Sequence, residues 1–420
     1  MLFIGVLIFI ILTFVRPQDF FPAVKDFPLV SIIIGLVASG WLFRRLNYKK
    51  KKFVKAPQNI IMIWFWVIIV TSTLSVKWLG FTLNTFIDWG KYVLIYFLII
   101  NIVNTKERIK IVIWTIVLCM AITALMGILQ FYGNDITGTG MFKGERIRGV
   151  GIFDTNQLAY TLAFCLPLIF GLFISTYSFF SKLFLTFIFF MYSYCIYLTQ
   201  SRGGLICAVY TLLLTFFIFS RKKVIQIFGI IFCASGFFIL LKFAPRLSST
   251  FGYQTDESAI GRIDVWGDGL STIKNKLFLG IGKDQFQEYF RIAAHNGYIQ
   301  TMVELSLVGL FLWLALYYFS IRNLRLMDTS SYNQKDILNI NFSKALQISL
   351  YAYLIGSFFQ SSAYYITLYI LFALIVALQN LTHLNIEKKI TAISLGDIRN
   401  IFLAEIAIIL VIRFIIKQVY

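Results

Sequence analysis

Charge is scarce in this 420-residue chain: 14% of its residues are Asp, Glu, Lys or Arg, against about 25% in a soluble globular protein. Histidine is scarcer still, with two residues, and acids number 19 against 38 Lys and Arg. Sequences of the Walker, dinucleotide-fingerprint and HExxH types are missing, as are paired cysteines and any acidic cluster suited to Mg²⁺. These absences exclude a soluble enzyme, a disordered chain and a disulfide scaffold. They also predict that the protein works with no metal, no cofactor, and no ATP or other nucleotide. The apolar share is 59% and the mean hydropathy +0.80, which points to a polytopic membrane protein.

The five cysteines (Cys119, Cys165, Cys195, Cys207 and Cys233) each sit in a different apolar run. There a thiol behaves as a small hydrophobe. Met1–Val15 is apolar from its first residue, without a basic leader or a small-residue cleavage site, and reads as an uncleaved first span. Apolar runs place spans near 2–15, 28–46, 58–76, 84–103, 110–132, 156–176, 180–199, 203–220, 223–243, 297–320, 342–362 and 364–384. In hydrocarbon each backbone group needs an internal partner, so runs of this length are helices. The expected fold is therefore an all-α polytopic membrane protein with about twelve transmembrane helices.

Net charge is +19, but the excess is placed by topology rather than by nucleic acid, which is not an expected partner. Arg44, Arg45, Lys49–Lys52 and Lys55, then Lys106, Arg108 and Lys110, then Arg221–Lys223, then Arg322, Arg325, Lys335 and Lys344 fall in alternate loops. The positive-inside rule puts those loops, and both termini, in the cytoplasm. Two sizeable loops remain on the other side, 133–155 and 244–296. The longer separates spans nine and ten, and its charges nearly cancel. Within it Ile263, Trp266, Leu270 and Ile273 recur at helical spacing, an amphipathic helix on the membrane or over a cavity. The tail is divided from the membrane domain at 385/386. Its apolar run 401–416 contains Glu405 and Arg413 and is short, so an interfacial or docked helix is expected rather than a thirteenth span.

The residues with chemical potential gather on the external side. His295, in Ala293-Ala294-His295-Asn296-Gly297, stands at the mouth of span ten, where an imidazole is placed to act as a general base near neutral pH. The plainer reading of this segment is a helix cap, with Asn296 as the capping residue. Arg202, in Gln200-Ser201-Arg202-Gly203-Gly204, is a lone external cation, and the two glycines permit close approach of a bulky group. Its guanidinium offers a bidentate fork for phosphate. Arg262 opens the loop helix; it is either a second phosphate ligand or a surface ion-pair partner of Asp264 or Asp268. Arg146 and Arg148 form a third external basic spot. Glu304 reads first as structural, although it could orient His295 or pair with an arginine. His383 is an interfacial residue. The ligand that fits this set is a lipid-linked diphosphate, already activated and arriving from the membrane or the external side.

Together the segments Arg148–Asn156, Ser201-Arg202-Gly203-Gly204 and Arg262…Trp266…Gly280-Ile281-Gly282…His295-Asn296…Glu304 resemble the O-antigen ligase and polymerase superfamily over about residues 1–385. The resemblance implies a metal-independent GT-C-like membrane glycosyltransferase of the bacterial inner membrane. Its donor would be an undecaprenyl-diphosphate-linked glycan, and its acceptor a hydroxyl of lipid A–core or of a second lipid-linked glycan. It implies diphosphate binding by Arg202 and Arg262, with Arg148 and Asn296 as further ligands, and an acceptor hydroxyl positioned or deprotonated by His295. Membrane lipid is the other partner. Lys276 and Thr155 stand where that family usually and often, respectively, has proline, and Ser306 where glycine is common. A ligase is favoured over a polymerase; the third alternative, a transporter, should show inverted repeats and helices broken at the midplane, and neither is legible in the sequence.

Overall fold

The computed structural model describes residues 1–20, 27–47, 53–133, 146–147, 149–150, 153–220, 222–243, 257–333, 337–381 and 391–419. Arg148, Lys335 and His383 lie outside the described residues. Helices α1 (Leu2–Phe14), α2 (Leu29–Asn47), α3 (Pro57–Leu74), α4 (Leu79–Ile102) and α5 (Lys106–Phe131) lead to a two-residue antiparallel ladder pairing Gly149 with Asp154 and Val150 with Phe153. Then follow α6 (Thr155–Ile174), α7 (Phe179–Thr199), α8 (Arg202–Phe219) and α9 (Lys223–Phe243). The long loop carries α10 (Glu257–Ile273) and a short α11 (Phe286–Phe290). The chain ends with α12 (Gly297–Asn333), α13 (Ile337–Gly356), α14 (Ile366–Gln379) and α15 (Leu395–Val419).

Eight of these helices are long and apolar enough to cross a membrane by length and composition, and Leu2–Phe14, Lys223–Gly236 and Ile366–Gln379 are shorter apolar helices. The protein is a polytopic α-helical membrane protein. Where a helix begins, a short polar side chain usually meets its free N–H groups. Asp154 accepts from Gln157 N (2.8 Å) at the start of α6, Ser201 from Gly204 N (3.2 Å) at α8, and Thr105 from Arg108 N (3.3 Å) at α5.

All fourteen residues of α14 are buried, as are fifteen along α6. Helices apolar on every side belong in the centre, and these two are wrapped by α4, α5, α7, α8, α12 and α13. The outer helices turn apolar side chains outward, for example Phe180, Phe187 and Phe190 on α7 and Phe228 and Ile231 on α9. In water such a surface would aggregate; in a bilayer it is the solvated face.

One expectation needs correcting. Span ten is not continuous: Ser306 adopts φ +70°, ψ −176° inside α12. The carbonyls beside this break are taken up by the loop. Ile281 N donates to Val303 O and Gly282 N to Glu304 O, both at 3.0 Å, and Ser72 Oγ also donates to Glu304 O at 2.6 Å. Ser306 Oγ donates to Phe278 O (2.9 Å), which fixes the same turn from the other side. Gly280 and Gly282 have φ of +68° and +91°, and a Cβ on Gly280 would stand 2.3 Å from Glu304 O. Only glycine lets the turn lie this close to the broken helix.

Candidate active site

The site sits where the starts of α6, α8 and α12 meet the loop helix α10. His295 precedes α12 in a left-handed conformation (φ +46°), a state costing a non-glycine residue about 1–2 kcal/mol. Contacts on both sides impose it. Trp266 Nε1 of α10 donates to Ala294 O (2.8 Å), and Gly297 N donates to Ser357 O (2.6 Å) at the end of α13. Asn296 is fully buried and caps α12, its Oδ1 accepting from Tyr298 N and Ile299 N at 3.0 Å each. With Oδ1 committed, Nδ2 is the only group Asn296 has left for a ligand, so the capping reading is the one the contacts favour.

Around the half-buried His295 imidazole stand Arg262, Asp154 and Gln360. Burial and the Arg262 guanidinium hold the imidazole below its ordinary value of 6.5, against Asp154 and Gln360, which favour its protonated form. His295 Nδ1 is buried with no hydrogen-bond partner among the described residues, and Gln360 Oε1 is likewise unpartnered. Gln360 Nε2 bridges to Asp154 Oδ2 (3.3 Å) and Tyr365 Oη (2.5 Å). The arrangement presents a neutral imidazole, flanked by a cation, at the end of the helix bundle.

The second sequence segment joins through Asn156. Its Oδ1 accepts from Ser201 Oγ (2.9 Å) and from Arg146 Nη2 (2.8 Å). This ties the turn that carries Arg202 to the same corner as Asp154, while Arg146 is committed to that polar link. The glycines after Arg202 have a different use from the one expected. A Cβ on Gly203 would lie 1.9 Å from Tyr160 Oη and one on Gly204 2.4 Å from Ala159 Cβ. They admit α6 rather than a ligand, and let α6 and α8 close up beside the turn that carries Arg202. Tyr160 in turn is within electrostatic reach of Arg262 and Asp154.

Glu304 does not orient His295. It is buried, and its Oε1 accepts from Phe286 N (3.0 Å) at the start of α11, so it secures the loop that its own backbone carbonyl also receives. Gln360 and Trp266 were not among the residues singled out for the site. The expected span 342–362 placed Gln360 inside a helix, whereas α13 stops at Gly356. The polar, small-residue run Gln360-Ser361-Ser362 after Gly356-Ser357 was the signal for that stop. Among the described residues no group of three His, Cys, Asp or Glu side chains converges as a metal-binding set.

A family model described as O-antigen ligase matches residues 184–314. The matched stretch runs from α7 into α12 and contains Arg202, Arg262, His295, Asn296 and Glu304; Arg148, Asp154 and Asn156 precede it. No curated protein gives a significant match to the chain. Over that stretch, which carries much of the site, the chain is similar to the O-antigen ligase family of membrane proteins.

Proposed function

We propose that the protein transfers a glycan from undecaprenyl diphosphate to an acceptor hydroxyl at the extracytoplasmic face of the bacterial inner membrane, in the manner of an O-antigen ligase. The observation that carries this reading is the buried, unpartnered Nδ1 of the His295 imidazole, which lies within electrostatic reach of Arg262. A histidine held neutral beside a guanidinium is suited to take a proton while a neighbouring anion is stabilised. In the transfer, the acceptor oxygen bonds to the anomeric carbon and the bond from that carbon to the diphosphate oxygen breaks. The leaving diphosphate departs with the electron pair and is met by Arg262 and Arg202, with Arg148 as a further ligand. The hydroxyl proton passes to His295. Asn296 and Trp266 hold the backbone that sets the ring in place.

A polymerase shares the donor and this chemistry and differs in the acceptor, a second lipid-linked glycan. The break at Ser306 is the feature a transporter would exploit. Its adjoining carbonyls at 303 and 304 are occupied by the loop's own N–H groups, which argues for a locked structural joint. The test is a gel of surface glycans from a deletion strain complemented with wild type or His295→Ala. The ligase reading expects the variant to leave polymer on its lipid carrier and the lipid A–core bare. Core capped with a single repeat unit would assign a polymerase instead. Wild-type glycans in the His295→Ala strain, with the protein present at normal level, would overturn the catalytic assignment.

A further inference from the structure

The C-terminal helix α15 is tied to the bundle at both ends. Near its start Asp397 accepts from Tyr318 Oη (2.9 Å) and Arg322 Nη1 (2.8 Å), and Asn400 Nδ2 donates to Tyr318 Oη (3.1 Å). Near its end Ile416 lies 3.9 Å from where a Cβ on Gly267 of α10 would be. Two residues along α10, the corresponding point on Gly269 is 3.0 Å from Val303 and 3.8 Å from Ile299, in the first two turns of α12. Residues 397 and 416 are about 28 Å apart along a helix, close to the roughly 30 Å hydrocarbon core. So α15 runs antiparallel to α12 through the depth of the bundle, from its Arg322 end to its His295 end.

The faces of α15 agree. Asp397 and Glu405 are buried toward the protein with Ile401 and Ile412, while Phe402, Leu403, Leu410, Val411 and Phe414 are exposed. A helix lying in the interface keeps its charged face toward water. This one turns its apolar face outward, as a lipid-facing span does. At the His295 end, α10 and α15 enclose a groove of about 520 Å³. Lys274, Arg413 and Lys417 line it together with Leu270, Leu410 and Phe414, and no acid is among its lining residues.

We propose that α15 is an additional membrane-spanning helix, in place of the interfacial tail expected from the sequence, and that the α10–α15 groove binds the phosphate headgroup of an anionic phospholipid. The three cations meet the phosphate, and the acyl chains follow Leu410 and Phe414 along the apolar outer face of α15. Because α10 also carries Arg262, the bound lipid pins to the membrane the helix that delivers this arginine. The inference does not depend on the transfer reaction.

Two measurements on the full-length protein test it. Lys417→Cys and Arg325→Cys, labelled in intact cells with a membrane-impermeant maleimide, should react from opposite sides of the membrane; reaction from the same side overturns the crossing. In nanodiscs containing phosphatidylglycerol in phosphatidylcholine, native mass spectrometry should find phosphatidylglycerol retained by wild type. Lys274→Gln/Arg413→Gln/Lys417→Gln should bind it on the order of 100-fold more weakly, at about a factor of five per cation. A Lys274→Arg/Lys417→Arg variant should retain it and shows that side-chain replacement itself is tolerated. Equal retention by the neutralised variant, or displacement of the phospholipid from the groove by a polyprenyl diphosphate, would overturn the assignment.

Discussion

Replacing Gly280 by alanine should unseat the loop that joins Arg262 to His295. At φ +68° an alanine carries a left-handed penalty of about 1–2 kcal/mol. Its Cβ would stand 2.3 Å from Glu304 O and 2.7 Å from Val303 O, both backbone atoms that no side-chain rotation can move aside. Restoring ordinary contact takes a retreat of about 1 Å, which breaks or stretches the bonds from Ile281 N to Val303 O and Gly282 N to Glu304 O. Two such bonds contribute about 1–3 kcal/mol, so the expected loss is about 2–5 kcal/mol in total. The assay is the denaturation midpoint of purified protein in mixed micelles, read beside glycan transfer. Gly236→Ala is the matched control, because a Cβ there meets nothing within 4 Å, and it should be neutral or stabilising by up to about 1 kcal/mol. Transfer by Gly280→Ala should fall about 10²-fold, the usual cost of a 1 Å misplacement of reacting groups. If Gly280→Ala matches Gly236→Ala in stability and the wild type in transfer, the loop is not docked on the broken helix and the reasoning fails.

The same joint predicts that Ser306→Gly is more stable than Ser306→Ala by about 1–2 kcal/mol, since both lose the bond to Phe278 O and only glycine relieves the positive φ; paired denaturation midpoints check it. The acid limb of the transfer rate should fall as pH drops through the lowered His295 value, because the neutral imidazole is the base. Arg262→Gln removes one of the causes that lower it, so the limb should move to higher pH in a pH–rate profile; an unmoved limb would separate the two residues. Trp266→Phe keeps the ring in the core but leaves Ala294 O without its donor, a cost of about 1–3 kcal/mol. It should lower kcat more than it lowers the amount of folded protein, measured by transfer and size-exclusion yield. Asn296→Ala should cost about 0.5–2 kcal/mol through the lost cap, and Asn296→Asp, which retains an accepting Oδ1, should recover most of that stability.

The bundle was legible because lipid removes the usual ambiguity between helix and strand: an apolar run of sufficient length must close its own hydrogen bonds. Each expected span overlaps a helix, and apart from the break in span ten the misses are at ends, where the sequence signal is weakest. Span eleven was extended to 362 because Phe358 and Phe359 continue the apolar run, yet α13 ends at Gly356 and frees Gln360 to bridge Asp154 and Tyr365. The break at Ser306 was illegible for a different reason. Glu-Leu-Ser-Leu contains neither glycine nor proline, and the partners that make the break affordable lie more than twenty residues upstream in the loop. Glu304 was the nearest clue, since a carboxylate buried in a span needs N–H donors and Phe286 N supplies one.

Candidate residues could be picked from the sequence, but the contacts that set them in place could not. Arg262 and His295 could be chosen because cations and histidines are rare on the external side, and the fold brings them within electrostatic reach of each other although they stand 33 positions apart in the sequence. What pure sequence reading misassigned were the groups that act through shape. Gly203 and Gly204 looked like room for a ligand, but the atoms that fill the space are Tyr160 Oη and Ala159 Cβ. Trp266 looked like one more apolar contact, but its indole N–H fixes the carbonyl before His295. A side chain's chemistry is carried by its own residue type, whereas the reason for a glycine or the partner of an indole belongs to a second segment of chain. Positions of that kind become readable only when the helices have been brought together, and one of them, Trp266, helps to hold His295 in a conformation it would not otherwise adopt.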